Sequence, residues 1–177
     1  MTVYADMVAE LHAKALRPGA LAEACIEEAY KEVLKPGSNA IDGGANVGRH
    51  TVGLSRSVGD AGTVFAFEPV AEVKVKLLAN LRKQNCRNVC AFSFALSDKI
   101  DVVEFTVCTN RTHLSSLHPR KQWPEHVKPE LEVRKVAACR LDSAIPASKT
   151  IDFIKLDLEG AEFRDPARGL APNRHRA

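Results

Sequence analysis

Residues 41–48 read Ile-Asp-Gly-Gly-Ala-Asn-Val-Gly. The apolar pair Ala40–Ile41 leads into a carboxylate, then a glycine pair, and Gly48 closes the stretch. Val47, Thr51, Leu54 and Val58 then recur at helical spacing. The segment predicts a strand, a tight glycine turn and a helix start. Glycine has no Cβ and tolerates positive φ, so a ligand can approach the backbone of such a turn. The turn is also expected to aim free backbone N–H groups at that ligand.

Spacing and charge discriminate between ligands. A dinucleotide fingerprint, G-x-G-x-x-G, rests a pyrophosphate on the helix N-terminus. Gly43, Gly44 and Gly48 do not fit that spacing. Asp42, where the chain leaves the strand, would repel a phosphate and attract an ammonium group. S-adenosylmethionine has an amino-acid ammonium, a sulfonium and no phosphate. It is the cofactor this turn is expected to hold, against the plainer alternative of a strand–helix turn with a capping aspartate.

Working outward, residues 63–67 (Thr-Val-Phe-Ala-Phe) form a β-rich run ending in Glu68–Pro69. An acid at the tip of the second strand of a βαβ unit can accept ribose hydroxyls. Glu68 is the candidate. Its alternative role is a helix N-terminal acid favoured by the macrodipole. Pro69 suits the first turn of a helix over residues 70–84, whose apolar face is Val70, Val73, Leu77, Leu78 and Leu81.

Before the octet, residues 1–16 read as a short amphipathic helix and residues 18–33 as a second. The second is expected to bury Leu21, Ala24, Cys25, Ala29 and Val33, and Lys35–Pro36–Gly37 stops it. Residues 89–96 predict a third strand, buried and parallel because it is nearly continuous in apolar residues. The alternation indicates an α/β fold with a doubly wound, mostly parallel sheet.

The pattern then changes. Residues 102–107 and 131–136 read as a β-hairpin insertion flanking the sheet. The polar connection between them, residues 109–129, holds His113, Ser115, Ser116, His118, Trp123 and His126. Long loops over an α/β sheet are often binding loops; a solvated connection with surface histidines is the alternative. Residues 151–157 predict a fourth core strand ending among Asp157, Glu159 and Glu162. Asp42, Glu68 and Asp157 all fall at strand carboxyl ends, where open α/β sheets bind ligands.

Composition sets the bounds. The 177 residues carry a formal net charge of +3, with basic residues scattered except near the C-terminus. Nothing in this suggests a nucleic-acid partner. No stretch is apolar enough to span a membrane, and the N-terminus does not read as a secretory signal. The five cysteines are odd in number and lack a C-x-x-C pair. Neither a disulfide framework nor a cysteine metal site is expected. Nothing requires a metal at Asp157 and Glu159, although they could share one, and a reducing cytoplasm is the expected setting.

With these motifs in view, the sequence resembles the FkbM family of S-adenosylmethionine-dependent methyltransferases. The resemblance rests on I-D-G-G-A-N-V-G, on F-A-F-E-P at 65–69, on L-D-S at 141–143, and on I-D-F-I-K-L-D-L-E-G-A-E at 151–162. It spans residues 36–163, roughly, and its last stretch is the most specific. It implies a Rossmann-like class I methyltransferase fold acting on hydroxyl groups of small molecules or sugars. It implies cofactor contacts along the octet, at Asp42, Gly43, Gly44, Asn46 and Gly48, and at Glu68 and Pro69. Ala95, Leu96 and Asp98 would border the adenine. Asp157 and Glu159 would lie near the methyl group and the acceptor.

Three segments are therefore expected: N-terminal helices over 1–35, the cofactor-binding domain over 36–163, and a disordered tail over 164–177. After Phe163, Pro166 and Pro172 break helical periodicity and charge dominates. The reading is of a shortened chain whose last strands are missing, leaving the strand at 39–42 open on one side or paired with another chain. A homo-oligomer is compatible with this.

A hydroxyl acceptor must lose its proton as the methyl group is transferred, and a positioned base adds about 10²–10⁴-fold in rate. Asp157 and Glu159 are the expected candidates, with His113 and His118 as alternatives. A non-catalytic cofactor-binding remnant and a nicotinamide-dependent oxidoreductase are the competing functions.

Overall fold

A computed structural model describes residues 18–111, 115, 117 and 128–158. In chain order the elements are α1 (Pro18–Val33), β1 (Asn39–Gly43), α2 (Arg49–Val58), β2 (Thr63–Phe67), α3 (Ala71–Lys83), β3 (Val89–Phe92) and β4 (Ala95–Leu96). They continue with β5 (Asp101–Cys108), β6 (Leu131–Cys139), α4 (Leu141–Ala144) and β7 (Phe153–Leu156). The expected segment at 1–16, the tail at 164–177 and the expected loss of final strands lie outside the described residues.

The main sheet is wholly parallel, in the order β3-β2-β1-β7. β1 is therefore central, with Ile41 opposite Phe65 on one side and Ile154 on the other. The expectation that β1 is left open on one side is not met, because β7 covers it. Asn39 ties the two strands at their start: its backbone N–H donates to Asp152 Oδ2 (2.8 Å) and its Nδ2 to the Thr150 carbonyl (2.9 Å).

Alternation sends side chains to two faces. On one, Ala40 and Val64 pack with Tyr30 and Leu34 of the α1 region and with Leu54 and Val58 of α2. On the other, Ile41, Phe65 and Phe67 pack with Leu96, Leu141 and Ile145. The expected face of α1 is corrected at two positions: Tyr30 is 2% exposed and Val33 51%. Leu21, Ala24, Cys25 and Ala29 of the expected face are half-buried.

The continuous run 89–96 divides between two sheets. Val89–Phe92 pairs with β2, whereas Ala95–Leu96 pairs in parallel with Ala138–Cys139 of β6. β3 is an edge strand of the described sheet and Cys90 is exposed, so the expectation of a buried third strand is corrected. An apolar run records that a segment is covered, not which strand covers it. The hairpin insertion is present: β5 and β6 run antiparallel, with Asp101 opposite Ala138 and Cys108 opposite Leu131.

A long-range cap finishes α2. Asn88 Nδ2 donates to the carbonyls of Ser55 (3.0 Å) and Gly59 (2.8 Å), satisfying acceptors that a helix end leaves open.

Candidate active site

A cavity of about 400 Å³ opens at the carboxyl ends of β1, β2 and β7. Of the residues expected there, Gly44, Asn46, Glu68, Pro69, Ala95, Leu96 and Asp157 line it. Asp42, Gly43, Gly48 and Asp98 do not. Glu159, His113 and His118 lie outside the described residues. Ser115 and Leu117, from the loop read as a binding loop, do reach the cavity wall.

Glu68 is the best-defined acid. Its Oε2 accepts the backbone N–H of Asn46 (3.0 Å) and its Oε1 that of Val70 (2.9 Å). Each carboxylate oxygen has capacity for another donor. The residue is buried, and burial pushes its carboxyl above the usual range, against the two backbone N–H groups that lower it. The nearby Asp42 raises it further and Lys155 lowers it.

The glycine loop is built differently from the expectation. The N–H groups of Gly44 and Ala45 both donate to the Phe67 carbonyl (3.1 and 2.9 Å), and that of Gly48 donates to Ala45 (2.8 Å). With Asn46 committed to Glu68, four N–H groups of the loop bond within the protein. They are not aimed at a ligand. Gly44 has φ +72°, and a Cβ there would lie 2.1 Å from the Asp157 carbonyl oxygen. This glycine is required by close approach of two backbones.

Asp42 corrects the electrostatic expectation most directly. Its carboxylate is fully buried behind the cavity wall. Thr51 Oγ1 donates to its Oδ2 at 2.6 Å, and Lys155 Nζ lies 3.2 Å from Oδ1. The Lys155 contact is a charge contact without hydrogen-bond alignment, since Oδ1 has no hydrogen-bond partner. Asp42 thus faces a resident cation rather than a ligand.

Lys155 was missed by sequence reading. It lies in register with Asp42 on β7, is 7% exposed, and lines the cavity. Its ammonium also donates to the Gly44 carbonyl (3.3 Å) and the Gly43 carbonyl (3.5 Å), and sits 3.8 Å from Asp157 Oδ2. The available signal was a lysine inside the apolar run Phe153–Leu156, a position that needs a buried counter-charge. Glu23, Arg49 and His50 also line the cavity and were not anticipated.

Adjacent strands lie roughly 4.8 Å apart, so the ends of β2 and β7 are separated by about 10 Å, with the β1 loop between them. Glu68 and Asp157 therefore flank that loop. Among the described residues, no group of three or more His, Cys, Asp or Glu could hold a metal ion. No described helix is long and apolar enough to cross a membrane.

A sequence model described as the methyltransferase FkbM domain matches residues 42–164. No curated protein matches the chain. Among solved structures, methyltransferase FkbM from Methylobacillus flagellatus KT aligns with a TM-score of 0.50 at 16% identity, over 93% of this chain and 43% of that one. A SAM-dependent methyltransferase from Aquifex aeolicus aligns at 28% identity and TM-score 0.38, over 44% of this chain and 42% of that one. An rRNA methylase from Streptococcus thermophilus aligns at 19% identity and TM-score 0.39, over 47% and 46%. The chain spans less than half the length of each of these structures.

Proposed function

The chain belongs to the FkbM methyltransferase domain family, and from that premise we propose that it binds S-adenosylmethionine and transfers its methyl group to a hydroxyl of a small molecule or sugar. The observation that carries the reading is the pairing of Glu68 with a glycine loop in which the N–H groups of Gly44, Ala45, Asn46 and Gly48 are already engaged. A pyrophosphate would need those N–H groups. A nucleoside without phosphate needs the acceptors that Glu68 holds out. This argues against a nicotinamide dinucleotide.

The residues that line the cavity fit such a ligand. Glu68 accepts ribose hydroxyls. Phe67, Phe94 and Leu96 give apolar cover for a base beside it. S-adenosylmethionine, when bound, supplies a methyl group on a sulfonium. With that group bound, Asp157, held at the end of β7, would take the acceptor's hydroxyl proton on a carboxylate oxygen as the C–O bond forms and the methyl–sulfur bond breaks, the thioether leaving. Lys155 holds the Gly43 and Gly44 carbonyls and keeps the buried Asp42 neutralised. Orientation of the reactants can contribute roughly 7–11 kcal/mol of barrier reduction. Ser115 and Leu117 line the cavity where an acceptor would enter. The reading takes the protein to act in the cytoplasm on small acceptors, without a nucleic-acid partner.

Titration calorimetry with S-adenosylhomocysteine and with NAD tests the cofactor. Binding of NAD alone would overturn it. Transfer of labelled methyl from S-adenosylmethionine to a panel of sugars, hydroxylated small molecules and ribosomal RNA tests the acceptor. Label appearing only in RNA would replace the acceptor class.

A further inference from the structure

At the cavity wall, α1 and α2 meet through charged groups that the reading above does not use. Glu23 lies on α1, ahead of the family-matched residues 42–164. Arg49 and His50 begin α2. One oxygen of Glu23, Oε2, takes both contacts: it is 2.7 Å from His50 Nε2 and 3.4 Å from Arg49 Nη1. All three residues line the cavity. The His50 side chain is 7% exposed, and the buried Tyr30 ring stands edge-on to it at 6.0 Å, which fixes the imidazole.

An imidazole N–H and a guanidinium converging on one carboxylate oxygen make a carboxylate-binding pair. Here the carboxylate comes from the protein. Glu23 is half-buried, with a side chain 33% exposed, so water can rehydrate it if it leaves. Two carboxylates would repel each other on the same pair, so a ligand carboxylate and Glu23 exclude one another there.

We propose that Glu23 is a resident competitor, occupying on His50 and Arg49 the place taken by the α-carboxylate of an amino-acid-bearing ligand, so that ligand binding breaks the α1–α2 contact. This rests on the S-adenosylmethionine reading, whose ligand carries such a carboxylate. It assigns α1, outside the family-matched segment, a regulatory part in binding.

The test is calorimetry with two probes on the full chain. S-adenosylhomocysteine has the amino-acid end; 5′-methylthioadenosine has the same nucleoside and thioether without it. Glu23→Gln is expected to tighten S-adenosylhomocysteine binding by about tenfold, the scale of a hydrogen bond to a charged group. Arg49→Ala, at a side chain 62% exposed, is expected to weaken it by a similar factor. Neither variant should move 5′-methylthioadenosine affinity, which also reports that the cavity is intact. Equal or weaker S-adenosylhomocysteine binding by Glu23→Gln, or unchanged binding by Arg49→Ala, overturns the inference alone. Wild-type protein that binds neither probe overturns the cofactor reading and this inference with it.

Discussion

Asp42 and Lys155 face each other across β1 and β7, Oδ1 to Nζ at 3.2 Å, both removed from solvent. Breaking a buried pair leaves an uncompensated charge, which costs about 3–5 kcal/mol, whereas replacing both partners is often nearly neutral. Lys155→Met should therefore destabilise the protein by that amount. Asp42→Asn combined with Lys155→Met should recover most of the loss. Urea unfolding of the single and double variants measures both. Equal stabilities for the two would show that Asp42 does not depend on Lys155.

Glu68 carries a pH signature. Its carboxyl is raised in the folded protein, chiefly by burial, so the folded state holds the proton more tightly than the unfolded chain. The sign follows: its contribution is most favourable below the unfolded value, about 4.3, and declines as pH rises through the folded value. Relative to Glu68→Gln, wild-type protein should lose stability between pH 4 and pH 7. Urea midpoints for both at the two pH values give the difference. A gain in wild-type relative stability with pH would contradict the burial argument.

Gly44→Ala should abolish ligand binding before it abolishes folding. The left-handed φ costs a non-glycine residue about 1–2 kcal/mol, and the new Cβ would meet the Asp157 carbonyl at 2.1 Å. Backbone must shift, which separates the β1 loop from the end of β7. Calorimetry with S-adenosylhomocysteine should show at least a tenfold loss, alongside a lowered thermal midpoint. Wild-type affinity in this variant would mean that the loop is not part of the binding surface.

Gly53 tests packing between α1 and α2. An alanine there gains about 1 kcal/mol in helix propensity. It also places a Cβ 2.0 Å from the hydroxyl of Tyr30, which is 2% exposed. Overpacking costs about 1–3 kcal/mol, so the net effect should be destabilising. Burial pushes the Tyr30 hydroxyl up to about 12, and Gly53→Ala should lower that value by opening the site to water. Ultraviolet titration of tyrosinate reads it directly.

Much of the fold was legible because its signals are local. The glycine turn at 43–48, the helix periods through Leu54 and Leu77, and the acid after β2 depend on neighbours within a few residues. The position of Glu68 after β2 was legible, and its bond from the Val70 N–H is local, but its second donor, Asn46, lies 22 positions away and comes from the fold. Lys155 was not, because its meaning depends on Asp42, 113 positions away in sequence and adjacent across the sheet (155 − 42 = 113). The break after Phe92 was not legible either, because β propensity does not name a pairing partner.

By itself the sequence determined the alternation of strands and helices from α1 through α3, the glycine-lined bend and the acid at the tip of β2, since side-chain period and backbone freedom act over one or two turns of chain. Only the tertiary structure decided that Asp42 faces a lysine instead of a ligand and that Glu23 reaches His50. The reason is physical: a charge is defined by what surrounds it, and strand pairing and helix packing bring those surroundings from distant parts of the chain.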